Sequence, residues 1–156
     1  MPEDNLTIAK NVSAVLVLFA DLEYQLEQLI NTYYTIDLPE SKGASFVGLL
    51  PSLSFGAKKQ AFQRIAEAEG FTKNNLYAPA LEAMKIIKET RNAIAHGKRV
   101  FDESKNLWVI KYTGQNGKEI MLDEPFVNDL SSKQMIARTA VGVLSNKIYG
   151  IIDKFD

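Results

Sequence analysis

Residues 6–33 read LTIAKNVSAVLVLFADLEYQLEQLINTY. Ile8, Val12, Val15, Leu16, Phe19, Leu22, Leu26, Leu29, Ile30 and Tyr33 recur at intervals of three and four, the period that gathers side chains onto one broad stripe of an α-helix. Asn11, Gln25, Gln28 and Asn31 fall on the other side. A helix from about Leu6 to about Tyr33 is long enough to span a whole domain or to lie in an interface. Either way it makes the chain a mainly α protein.

The rest of the chain is read outward from that helix. Asp37-Leu38-Pro39-Glu40-Ser41-Lys42-Gly43 is a loop by its breakers. Ser45–Leu50 forms a short apolar helix that ends before Pro51. Ser54 is placed to cap a helix over 55–69, which Gly70 stops. In it Ala57, Ala61, Phe62, Ile65 and Ala66 face inward, and Lys58, Lys59 and Arg64 are expected on the outer side, either as a solvated face or as part of an RNA path. Pro79 suits the start of a helix running to Ala95 or His96, with Gly97 as a left-handed stop. Its stripe is Ala80, Met84, Ile87, Arg91 and Ile94.

The period then changes. Leu107–Tyr112 and Lys118–Leu122 read as strands joined by Gly114-Gln115-Asn116-Gly117, a turn with Asn-Gly chemistry. This hairpin, about 106–123, must pack on the helices, because a lone hairpin is marginal in water. Ser131 or Ser132 opens the last helix, to about Lys154, with Ile136, Ala140, Val143, Leu144, Ile148, Ile151 and Ile152 on one side. Gly142 and Gly150 lie within it and allow close helix packing. The expected architecture is one domain over 1–156: a bundle of about four main helices with a β-hairpin inserted before the last.

Composition narrows the function classes. The chain's 156 residues carry 18 Lys plus Arg against 19 Asp plus Glu, a formal net charge of −1. It is no bulk polycation, so any grip on nucleic acid must come from a local patch. Cysteine is absent, which removes disulfides, iron–sulfur clusters and thiolate nucleophiles. Met1-Pro2-Glu3-Asp4 is acidic, and the apolar run Val12–Ala20 is too short to cross a bilayer. The expectation is a cytoplasmic protein without membrane contact. A single histidine and scattered carboxylates such as Asp21 and Glu23 make no metal set. Gly114–Gly117 lacks the Lys and hydroxyl of a phosphate-cradling loop.

The local patch is Arg91-Asn92-Ala93-Ile94-Ala95-His96-Gly97 and its flanks. From residue 85 to 99 stand Lys85, Lys88, Arg91, Lys98 and Arg99, with Glu89 the one carboxylate. Asn92 and His96 are four apart and share a helix face, whereas Arg91 and His96 diverge by about 140°. A guanidinium fits a phosphate through two parallel hydrogen bonds, and an imidazole trades a proton near neutrality. Asn92 can orient the histidine or a substrate oxygen. RNA cleavage needs little more, since the 2′-hydroxyl is an internal nucleophile that DNA lacks. Two plainer roles compete: His96 capping the last helix carbonyls, and Arg91 pairing with Glu23 or Glu27.

At these residues the chain resembles the HEPN superfamily (higher eukaryotes and prokaryotes nucleotide-binding domains). Many of its members carry Arg, a polar residue, a few more residues and then His, as Arg91-Asn92-Ala93-Ile94-Ala95-His96 do. The flanks Ile87-Lys88-Glu89-Thr90 and Lys98-Arg99 also look like bacterial members. The resemblance implies a HEPN-like helical bundle and a metal-independent endoribonuclease with no cofactor, acting as a toxin or antiviral effector. It implies a homodimer in which two copies of the motif face one cleft, and an antitoxin or other regulatory protein as a further partner. Carried over, Arg91 holds the scissile phosphate, His96 is general base or acid, and Asn92 supports them. Lys88, Lys98 and Arg99 are then RNA-binding. The family also has members that bind without cutting, which leaves a non-catalytic module binding RNA, nucleotide or a protein as the alternative. A purely structural helical dimer is a third possibility.

Overall fold

The computed structural model describes residues 2–113 and 117–150. Five helices surround a shared core: α1 (Pro2–Thr35), α2 (Glu40–Leu49), α3 (Phe55–Ala68), α4 (Tyr77–His96) and α5 (Glu124–Ile148). Short 3-10 turns, Leu50–Ser52 and Phe71–Lys73, flank α3. Between α4 and α5 lie β1 (Lys98–Asp102), β2 (Leu107–Lys111) and β3 (Glu119–Met121), an antiparallel sheet in the order β1-β2-β3. The chain is therefore mainly helical with a small inserted sheet.

The long first helix runs through the centre of the bundle, against α5, α3 and α4. Its stripe does what the period requires: Ile8, Val15, Leu22, Leu26, Leu29 and Ile30 are buried. Leu16 departs from it and is exposed. Ser54 caps α3 as its position implies, its Oγ accepting a hydrogen bond from the Ala57 amide at 3.1 Å.

Several expectations are corrected. Lys58 is not on a solvated face; it is 1% exposed, with Nζ 2.8 Å from Glu23 Oε1 and 2.6 Å from Glu27 Oε1. The extended segment is not a two-stranded hairpin, because Lys98–Asp102 adds a strand, with Arg99 opposite Ile110 and Phe101 opposite Trp108. Residues 114–116, which hold most of the expected turn, lie outside the described residues. The last helix opens at Glu124, a full two turns before Ser131, because the Asp123 carboxylate accepts from the Phe126 amide at 2.8 Å and Pro125 fits the first turn. Ile136 on that helix is exposed rather than inward. Gly142 is exposed, with no described side chain within 4 Å of where its Cβ would stand, and Gly150 (φ 71°) follows the helix instead of lying in it. Ile151, Ile152 and Lys154 lie outside the described residues.

Gly97 is extended (φ −78°, ψ 160°), not left-handed. Its smallness answers to space. A Cβ there would overlap the Ala93 carbonyl oxygen and sit 2.5 Å from Ile110 Cγ2 and 3.1 Å from the Lys111 oxygen. The chain thus passes from α4 straight into β1 with β2 laid against the joint. Asn11 Nδ2 donates to the Leu122 carbonyl at 3.4 Å and ties the far end of the sheet to α1.

Candidate functional site

The geometry of the patch follows from the buried side of α4. Ala80, Ala83, Met84, Ile87, Thr90 and Ala93 are buried. Arg91 lies at the margin of that surface, half-buried, as a long side chain with an apolar stem does. Its Cζ stands 5.5 Å from the centroid of the Phe19 ring on α1, within cation–π range. Its Nη1 donates to Asn92 Oδ1 at 3.5 Å, a long and weak contact. Among the described residues Arg91 forms no ion pair. The carboxylates that could have claimed it, Glu23 and Glu27, are both bound to Lys58.

Arg91 and Asn92 open onto a cleft of about 350 Å³ between α1, α4 and the start of α3. Lys88 joins them on the α4 wall. Phe19 and Glu23 come from α1, and Ser54, Phe55 and Gly56 from the head of α3. The Lys88 ammonium approaches α3 so closely that a Cβ at Gly56 would stand 3.5 Å from its Nζ. Lys88 is exposed and, among the described residues, unpaired with any carboxylate. Two cations, an amide and two aromatic rings therefore converge on one concavity, with Glu23 as the one acidic group that lines it among the described residues.

The other expected site residues are elsewhere. His96 is the last residue of α4, exposed, and does not line the cleft. On an α-helix it lies about 7.5 Å further along the axis than Arg91 and about 140° around it. Its ring makes no hydrogen bond among the described residues, so it is not capping the helix carbonyls. Lys98 and Arg99 are exposed on β1 and, among the described residues, form no ion pairs. Lys98 faces Lys111 across the sheet, and Lys111 is itself neutralised by Glu119 at 3.2 Å. The sheet thus carries positive charge forward from the helix end. One chain brings Lys88, Arg91 and Asn92 together and leaves His96, Lys98 and Arg99 exposed outside the cleft.

Sequence reading did not assign Phe19, Glu23, Ser54 or Gly56 to the site. Phe19 and Glu23 are four apart on α1, which is a legible signal that they share a face. Nothing local says that the face meets Arg91. Lys58 fixes Glu23 and Glu27. Its burial pulls its pKa down, but hydrogen bonds and Coulomb attraction from both carboxylates outweigh that and hold the pKa above the ordinary lysine value. Among the described residues no three His, Cys, Asp or Glu side chains converge as a metal-binding group. Among them no helix is long and apolar enough to cross a membrane.

No protein-family model matches the chain, and no significant match was found among curated proteins or among solved structures.

Proposed function

We propose that this chain is a metal-independent endoribonuclease of HEPN-like type, serving as a toxin or antiviral defence effector. In the proposed reaction Arg91, with Lys88 beside it, holds the scissile phosphate. His96 takes the 2′-hydroxyl proton. O2′ bonds to phosphorus, the bond from phosphorus to the 5′-oxygen breaks, and that oxygen leaves as a hydroxyl after the His96 imidazolium returns the proton to it, directly or through water. The products are a 2′,3′-cyclic phosphate and a 5′-hydroxyl end.

The observation that carries this reading is the state of Arg91. A guanidinium on the core side of a helix is ordinarily tied to a carboxylate, yet this one faces an open cleft with both neighbouring carboxylates held by Lys58. Because His96 is absent from that cleft, the reaction uses two copies of the chain, the histidine of each completing the arginine cleft of the other. A homodimer through the ends of α4 is part of the proposal, with an antitoxin or regulatory protein as a further partner.

The separation of His96 also favours a second reading, a module that grips RNA or a nucleotide in the Arg91 cleft without cutting. Incubating purified protein with diverse RNAs in EDTA separates the two. Cleavage that disappears in Arg91→Ala and in His96→Ala supports the nuclease. Binding without cleavage supports the module.

A further inference from the structure

The cleft holds a group that a phosphate grip alone does not use. Glu23 lines the same concavity as Arg91 and Lys88, and its charge opposes an anion there. It is also fixed. Its Oε1 accepts a hydrogen bond from Lys58 Nζ at 2.8 Å, and that ammonium is buried and shared with Glu27. Among the described residues no donor reaches the second oxygen, Oε2, and the side chain is 30% exposed. A carboxylate only accepts hydrogen bonds. A ligand that suits every wall must therefore carry an anion and, a few ångström away, a hydrogen-bond donor. A ribonucleotide unit does so, with its 2′-hydroxyl next to its 3′-phosphate; a deoxyribonucleotide has no such donor. The cleft volume of about 350 Å³ lies at the small end of ligand sites, room for one such unit.

We infer that Glu23 reads the sugar. In the bound complex its free oxygen accepts a hydrogen bond from the 2′-hydroxyl of the nucleotide whose phosphate lies on Arg91 and Lys88, and that proton passes to His96 only when cleavage begins. Lys58 is the positioning residue that holds it there. The inference rests on the RNA reading above, and makes Glu23 the residue that discriminates RNA from DNA.

The test uses the full chain carrying His96→Ala, so that RNA stays intact, and fluorescence anisotropy with three short labelled oligonucleotides. They are identical except for 2′-hydroxyl, 2′-hydrogen or 2′-fluorine at every sugar. Fluorine cannot donate, so the deoxy and fluoro probes should bind alike and about tenfold more weakly than RNA, the loss of one hydrogen bond to a charged group. Adding Glu23→Ala should bring the three within about twofold, because it leaves no group at that wall to bond the 2′-hydroxyl as donor or acceptor. Glu27→Gln perturbs the same lysine from outside the cleft and should leave the preference intact. A fluoro probe that binds as tightly as RNA, or a preference that survives Glu23→Ala, overturns the inference. If the three probes bind equally to the parent, Glu23 does not read sugar and the phosphate site stands. If none binds, both fall. Should Glu23→Ala fail to fold, the deoxy and fluoro comparison on the parent decides.

Discussion

Lys58→Met is the most demanding perturbation of the fold that the structure offers. Methionine keeps the length of the side chain and removes the ammonium that Glu23 and Glu27 share at 2.8 and 2.6 Å. Removing one partner of a fully buried ion pair costs about 3–5 kcal/mol, mostly through the charge left behind. Here the stranded carboxylates are 30% and 20% exposed, so water relieves part of that cost. They also lose the cation that screens them from each other. The balance is a loss of about 3 kcal/mol, or a fall in Tm of about 6–12 °C for a chain of this size. Urea denaturation followed by far-UV circular dichroism measures it, with an unchanged m-value showing that both chains unfold in the same way. Glu27→Gln added to Lys58→Met should restore part of the loss, since it removes one of the two stranded charges. A loss below about 0.5 kcal/mol, the value of a solvated surface pair, would refute the buried bridge.

Other perturbations test separate parts of the account. The Lys58 pKa is raised on folding, so its contribution is present at neutral pH. That contribution should be lost as pH climbs through and beyond the ordinary lysine range, visible as wild-type stability falling there and Lys58→Met stability changing less. Gly97→Ala should cost about 1–3 kcal/mol in the same denaturation assay, because the new methyl overlaps the Ala93 oxygen and crowds Ile110; a neutral result would mean that the joint between α4 and β1 is looser than described. Asp123→Ala should cost about 1 kcal/mol and Asp123→Asn much less, since the role is to cap α5. Arg91→Lys should bind RNA markedly less well than wild type despite keeping the charge, because an ammonium cannot present two parallel donors to one phosphate.

The helical frame was legible because it is local. The spacing of Ile8 through Ile30 fixes α1, and Ser54 and Gly70 bound α3 without knowledge of any partner. The start of α5 is equally local, but it lies at Asp123-Glu124-Pro125, which carries a capping carboxylate and a first-turn proline, and not at Ser131 or Ser132. Lys58 shows the opposite limit. A lysine between apolar helix positions reads as solvated, and its burial depends on Glu23, 35 residues away. β1 was hidden for a similar reason. Lys98 and Arg99 look like a charged tail to the helix, and become a strand because Ile110 and Lys111 lie opposite them. At the site, Arg91, Asn92 and Lys88 meet as their helix spacing allows. The walls supplied by α1 and α3 are tertiary facts. Asn92 and His96 share a face by spacing, yet only Asn92 reaches the cleft, because the cleft follows α1 and α3 rather than the axis of α4.

The central claim is that Arg91 and His96 act together, though one chain holds them apart. Mixing Arg91→Ala protein with His96→Ala protein, after brief denaturation and refolding so that subunits exchange, tests it directly. Each mixed dimer would join one intact arginine cleft to one intact histidine from the other chain. The account predicts that two inactive preparations regain RNA cleavage in EDTA, with 2′,3′-cyclic phosphate ends. If the wild type cleaves and the mixture stays as inactive as its parents while forming mixed dimers, the shared site is contradicted.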